Sequence, residues 1–408
     1  MSAPSINSAR LLQRLQELGE IGRSGTGGRT RIAYTEQDCE GRNLVMSWMR
    51  EAGLSVQRDP IGNLFATLPG QTNQPPVMTG SHIDTVANAG HLDGPLGVLA
   101  GLEVIQSLVE NKRTPKRPIT VAVFANEEGV RFQPDMMGSL VHVGGLALAD
   151  ALKARDRDGI RLGDALIPEP NVEAIELGQI TPAAFVELHI EQGPILEDCA
   201  STIGIVEGVQ GIYWAELTFE GRAGHAGTTP NNLRKDAGIA AMRFATILDE
   251  KLKALGPLQL VTFGQLQLSP NMINVIPRQA KLTVDIRHPD AATLDRAIQF
   301  TDQLVRETAN DERVDIDLSE LVRLAPVEFD PQICKLLEAL AEQGGLSHQR
   351  MTSGAGHDAQ MMARIAPTAM IFVPSVKGIS HNPAEATSAA DVSAGAQLLM
   401  DALWRLAN

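Results

Sequence analysis

Residues 119–124, Ile-Thr-Val-Ala-Val-Phe, are apolar at nearly every position rather than at every second one. A strand with one wet face alternates, whereas a strand covered on both faces reads as an unbroken run, and such strands belong to parallel sheets flanked by helices. The pattern recurs in residues 184–190 and 368–374, and in shorter, Pro-bounded form in Pro76-Val77-Met78-Thr79. Each run leads into polar residues. His82, Asp84 and Asp93 follow the first, Glu127 and Glu128 follow 119–124, His189 closes the third, and Gly378-Ile379-Ser380-His381-Asn382-Pro383 follows the last. Taken singly these are ordinary capped turns or solvated acids, and His82-Ile83-Asp84 alone reads as a capped turn before it reads as a ligand pair. A parallel sheet, however, brings its carboxyl ends to one edge, where ligands bind, so the four clusters converge on one expected site.

The length of 408 residues suggests two or three domains. Apolar residues make up 43% and charged residues 21%, with no stretch able to span a bilayer. The amino terminus, MSAPSINSARLLQRLQELGEIG, has a helical apolar pattern instead of a basic segment followed by a short apolar block, so no secretion signal is expected and the cytoplasm is the default. A net charge of −14 argues against nucleic acid or an anionic membrane as main partner, since both call for a surplus of Lys and Arg. Cys39, Cys199 and Cys334 fall in no paired metal spacing and read as packing residues in a reducing compartment.

Amphipathic helices are predicted over 6–20 and 37–54, separated by a loop at 22–31 whose Arg29 and Arg31 either are solvated or reach a site. A strand, turn and strand follow over 54–68, then a helix over 97–109, and residues 135–180 read as helix and loop. Near residue 212 the order becomes strand (213–220), helix (233–255), strand (258–268), strand (272–287), helix (291–309), strand (314–321), which is the ferredoxin-like unit. The first pattern resumes with a helix at 332–342, a Gly-rich loop at 351–358 and a final helix at 389–405. The expected organisation is a discontinuous α/β domain, 1–211 and 329–408, interrupted by an inserted α+β domain, 212–328.

Imidazole and carboxylate are the usual nitrogen and oxygen ligands of divalent transition metals. Two ions about 3.5–4 Å apart need one bridging carboxylate and about two further ligands each. His82, Asp93, Glu128, His189 and His381 supply that number. Glu127 is left over beside the cluster, and a spare carboxylate there suits a general base for hydrolysis. Zinc, manganese, cobalt and nickel all accept this donor set.

The runs HIDTVANAGHLDG, EEGVRF, ELHIEQGPILE, GRAGHAGTTP, NVIPRQAKLTVDIRHPD and GISHNPAE closely resemble the hydantoinase/carbamoylase amidases of the M20 metallopeptidase-like superfamily, along essentially the whole chain. The resemblance implies a phosphorylase/hydrolase-like dinuclear-metal catalytic domain with an inserted ferredoxin-like lid and dimerisation domain. It implies that Asp93 bridges two ions, that His82 and His189 complete one and Glu128 and His381 the other, that Asp84 orients His82, and that Glu127 is the base. An imidazole at 189, where the peptide-cleaving relatives carry a carboxylate, resembles the branch acting on N-carbamoyl groups. The implied substrate is a small ureido compound bearing a carboxylate, and the implied assembly a homodimer that closes on binding.

The same resemblance places Gln192, His225, Asn274 and Arg287 around the substrate, with Arg287 suited to a planar carboxylate and His225 to the oxyanion. The residues themselves also allow a surface Arg287 paired with Asp285 or Asp290, and a His225 that only shapes a turn. Gly354-Ala355-Gly356 either offers N–H groups to the carboxylate or forms a tight turn. The leading expectation is an N-carbamoyl-L-amino acid amidohydrolase. Allantoate or ureidoglycolate amidohydrolase comes next, with Ile212-Tyr213-Trp214 favouring an amino acid side chain. An aminoacylase or dipeptidase and a catalytically silent binding protein are more remote.

Overall fold

The computed structural model of the chain describes residues 3–169 and 171–408, so Met1 and Ser2 of the expected amino-terminal pattern, and Pro170 within the 135–180 stretch, lie outside the described residues. The chain divides into two compact units, residues 1–208 with 328–408, and residues 209–327.

The first unit is built on a large mixed sheet. Its centre is four parallel strands in the order Thr368–Val373, Ala184–Ile190, Val77–His82, Ile119–Phe124. All four are buried along their whole length, as an unbroken apolar run requires. Antiparallel neighbours extend it on both sides, Ile203–Val209 beside Thr368–Val373 and Leu64–Leu68 beside Ile119–Phe124. The helix Pro95–Glu110 is apolar around nearly its full circumference and is correspondingly buried. Within it, the buried Glu103 accepts hydrogen bonds from Arg10 Nε at 2.7 Å and from the Asn7 N–H at 2.8 Å, fastening the first helix, Ser8–Glu20. Asp330, which caps Pro331–Gln343, and Ser388, which caps Ala389–Ala407, accept main-chain N–H groups at the helix starts.

The second unit has the strand Gly211–Glu220 at its centre, flanked antiparallel by Gln279–His288 and Asp315–Leu324, with Leu260–Thr262 and Leu266–Ser269 along the far edge of Gln279–His288. This is the strand order of a ferredoxin-like sheet. Tyr213, Ala215, Leu217 and Phe219 alternate onto the face that packs on the helices Ala237–Lys253 and Ala291–Glu312, while the residues between them stay wetter.

Some expectations change. The single strand expected over 258–268 is two short strands, and that over 272–287 is Val275–Ile276 followed by Gln279–His288. Residues 348–353 form a strand, not the start of a Gly-rich loop. Cys334 is buried and Cys39 partly so, but Cys199 is exposed. Among the described residues no helix is long and apolar enough to cross a membrane.

Candidate metal centre

His82 is the last residue of its strand and lies across from Phe124. Its Nδ1 sits 2.9 Å from the main-chain carbonyl of Asp84. A carbonyl can only accept, so the proton is on Nδ1 and the Nε2 lone pair faces the site, as a metal-binding imidazole requires. The expected orienting role therefore belongs to the Asp84 carbonyl. The Asp84 carboxylate is farther off, 3.7 Å from His82 Nδ1, and instead accepts the N–H groups of Glu127 at 3.3 Å and Glu128 at 3.2 Å. It ties the turn after one strand to the turn after its neighbour.

Asp93 reaches the site because Gly94 follows it with φ +84°, and a Cβ at Gly94 would lie 2.5 Å from the His82 ring. Asp93 Oδ1 is 3.2 Å from His189 Nε2, and Oδ2 is 3.2 Å from His381 Nε2. His189 Nδ1 is held by the Ile190 carbonyl at 2.9 Å, again leaving Nε2 to the site. Glu128 Oε2 lies 3.4 Å from His381 Nε2. Two groups share Asp93, His82/Asp93/His189 and Asp93/Glu128/His381, each with its ligand atoms within 4.8 Å of one another, and a third, Glu187/His189/His357, shares His189 with the first. The first is buried, whereas the His381 side chain is 49% exposed. Glu127 Oε2 stands 3.5 Å from His82 Nε2.

Electrostatics favour cations here. Burial, with the charges of Asp358, Glu128, Asp84 and Asp93, pushes the Glu127 carboxyl well above its ordinary range. Burial and then Asp93 push Glu128 to about 8. Burial opposes charge on His189, yet the Asp93 hydrogen bond and negative charge carry it to about 9, and the Asp93 hydrogen bond brings His381 to about 9 as well. The cluster gathers more negative charge than it can hold without protons. Mixed imidazole and carboxylate donors with lone pairs turned inward fit divalent ions of the zinc or manganese kind in both groups.

Gln192 has φ +59°, and its Nε2 donates to Asp93 Oδ2 at 2.9 Å, while its Oε1 is buried with no partner among the described residues. At 354–356 the Ala355 N–H donates to Ser353 Oγ at 3.1 Å, so this segment is a locked turn whose middle N–H is already engaged. In the second unit, His225 Nδ1 accepts the Gly227 N–H at 3.0 Å and the Asn274 carbonyl accepts the Ala226 N–H at 3.1 Å across a two-strand pairing. Arg287 donates to Asp285 at 2.9–3.1 Å, the surface pairing that the residues alone allowed. Tyr213 lies in the core of its unit, which removes it from the apolar surface expected of Ile212-Tyr213-Trp214.

Ser380, Glu385 and Glu187 escaped the sequence reading as contacting residues, whereas His357 and Asp358, at the end of the Gly-rich loop 351–358, read at best as neighbours of the site. Ser380 Oγ donates to Asp93 Oδ2 at 2.7 Å, and Glu385 accepts the Leu92 N–H at 2.8 Å. Glu187 is held by Ser81 Oγ at 2.6 Å and by the Ala359 N–H at 2.8 Å. The His357 ring centroid is 4.6 Å from that of His189, and Asp358 accepts from Ser139 Oγ at 2.6 Å. For Ser380, Glu385 and Glu187 the only signal is proximity in sequence to a candidate ligand, which by itself distinguishes nothing. Arg31 does not reach the metal groups. It is fully buried and donates to the carbonyls of Ile83, Leu18 and Ile21 beneath the His82 loop.

Residues 78–405 match the family description Peptidase family M20/M25/M40. The chain is 39% identical, over 99% of both sequences, to an N-carbamoyl-L-amino acid amidohydrolase of Geobacillus stearothermophilus. It is 36% identical, over 97% of both, to an allantoate amidohydrolase of Escherichia coli strain K12. A solved hydantoinase/carbamoylase family amidase from Burkholderia multivorans superposes with a TM-score of 0.96 at 40% identity, covering 99% of this chain and 98% of that one. The chain is thus an amidohydrolase, and it belongs to the hydantoinase/carbamoylase amidases of peptidase family M20/M25/M40.

Proposed function

We propose that the enzyme hydrolyses N-carbamoyl-L-amino acids, cutting the ureido C–N bond to release the amino acid, carbon dioxide and ammonia. The observation that carries this reading is His189. It brings a nitrogen donor within 3.2 Å of Asp93 at a position where the peptide-cleaving members that the chain resembles place a carboxylate. The slightly higher identity to the N-carbamoyl relative than to the allantoate relative points the same way.

In this reading His82, His189 and Asp93 hold one divalent ion and Asp93, Glu128 and His381 the other. Such ions, when bound, polarise the ureido carbonyl and acidify water. Glu127 accepts a proton from the attacking water and hands it to the departing nitrogen, so the amine leaves neutral. Burial excludes competing water from that transfer. Gln192 presents its unpartnered Oε1 to a substrate N–H. Within the unit 209–327, Arg287, which pairs with Asp285, is the candidate partner for the substrate carboxylate, and Asn274 and His225 are that unit's further candidates. The enzyme works in the cytoplasm as a homodimer joined through the unit 209–327. Small-angle scattering at working concentration checks the dimer.

Ammonia release from a panel of N-carbamoyl-L-amino acids, allantoate and ureidoglycolate, each with added Zn, Mn, Co or Ni, tests the reading. The highest kcat/KM should fall on an N-carbamoyl-L-amino acid. A tenfold preference for allantoate or ureidoglycolate would replace this substrate class with theirs.

A further inference from the structure

Glu385 is a buried carboxylate to which neither ligation nor proton transfer assigns a task. It lies four residues beyond the ligand His381, yet its contacts are with the other end of the site. Oε1 accepts the main-chain N–H of Leu92 at 2.8 Å and of Asp93 at 3.3 Å. Oε2 lies 3.2 Å from Ser380 Oγ, which places its single hydrogen nearer to Asp93 Oδ2, at 2.7 Å. Gly90 completes the seat, since a Cβ there would lie 2.1 Å from Glu385 Oε1 and 2.4 Å from its Cβ. One short segment, 380–385, thus carries a ligand to the second group and also grips both the backbone and the side chain of the carboxylate that the two groups share.

From these contacts we infer that Glu385, acting through Ser380 and the Leu92–Asp93 backbone, is a positioning residue that fixes the bridging carboxylate relative to His381 and so sets how tightly the Asp93/Glu128/His381 group holds its ion. The inference rests on the two-ion reading above. The geometry is specific to that group. Ser380 loads Oδ2, the oxygen facing His381, and no hydrogen bond from this segment reaches Oδ1, which faces His189, among the described residues. Hydrogen-bonded supports of this kind are typically worth 10- to 100-fold in metal affinity. An alternative role for Glu385, as a mere plug in the loop, predicts lost stability with unchanged ion affinity.

The test uses the full chain and Mn2+ alone as probe, in Glu385→Gln and Ser380→Ala variants. Metal per chain is measured after dialysis, with competition against a chelating dye, alongside circular dichroism and kcat and KM at limiting and saturating Mn2+. The expected result is one ion held as in the unaltered protein and the other weakened about 10- to 100-fold. Activity should be lost at limiting metal and largely restored at saturation, with KM little changed. Ser380→Ala removes only one donor at a half-buried position and decides the matter if Glu385→Gln does not fold. Two ions held in both folded variants with unaltered affinity would overturn the inference while leaving the two-ion reading standing, and an unaltered protein that binds no ion would overturn both.

Discussion

In the proposed reaction two requirements meet at Glu127: burial among carboxylates favours a proton on it, while the reaction needs a base at the moment water attacks. Bound cations reconcile them by lowering the cost of the charged form. Replacing Glu127 with Gln should keep the metal content, measured by elemental analysis, and lower kcat by about 10²- to 10⁴-fold. A variant that keeps more than a tenth of the activity would move the base elsewhere. Arg31 is a residue of the opposite kind, with no chemistry but three carbonyls to satisfy. Arg31→Met leaves those carbonyls buried, and at about 1–3 kcal/mol for an unsatisfied group the variant should lose about 3 kcal/mol of stability, read as a lower melting temperature. Sequence could not separate Arg31 from Arg29, because both sit in the same Gly-rich stretch and only tertiary placement buries one of them completely. The proposed ligands and Glu127 drew notice for a different reason: His82 and His189 sit at the ends of buried strands, Glu127 and Glu128 just past another, and Asp93 and His381 in the loops that follow two of them.

Among the elements, legibility follows how continuously apolar each stretch of sequence is. The four central strands and the helices matched their apolar patterns, while Ile203–Val209, with Gly204, Glu207 and Gly208, and His348–Ser353, largely polar and only partly buried, gave no such signal. Pro277 and Gly264 break the two long strands expected of the second unit. The turn from Asp93 into Pro95–Glu110 is the element on which the first metal group leans. Gly94→Ala forces a Cβ against the His82 ring at a left-handed φ, and ion affinity at the His82 group should fall at least tenfold, measured by chelator competition, with strand content by circular dichroism unchanged. At the helix Pro331–Gln343, Asp330→Ala removes an acceptor from Gln332 and Ile333, worth about 1 kcal/mol. Hydrogen exchange in the first turn of that helix should quicken about fivefold, with the rest of the sheet unaffected.

For the whole molecule, the charge gathered at one sheet edge makes stability depend on ions and pH together. Without metal, Glu128 titrates near 8 and His189 and His381 near 9, all above their ordinary values of 4.5 and 6.5. A raised value stabilises fully below the unfolded pKa and the contribution vanishes as pH climbs through the folded one, so the metal-free protein weakens toward about pH 9. His82, pushed to about 4 by burial, acts in the opposite sense and only below its ordinary 6.5. Ion binding instead improves as ligands lose protons. The difference in melting temperature between loaded and chelated protein should therefore widen from about pH 6.5 to 9 by scanning calorimetry, and a constant difference would contradict this electrostatic account. The discontinuous first unit also bears on synthesis. Its strand Thr368–Val373 is made near the end of the chain yet lies between Ala184–Ile190 and Ile203–Val209, whereas residues 209–327 are contiguous. On the ribosome the inserted unit can finish while the sheet still lacks the strand between Ala184–Ile190 and Ile203–Val209, so filling that slot is a late event, and a nascent chain halted before Thr368 holds an unfinished sheet.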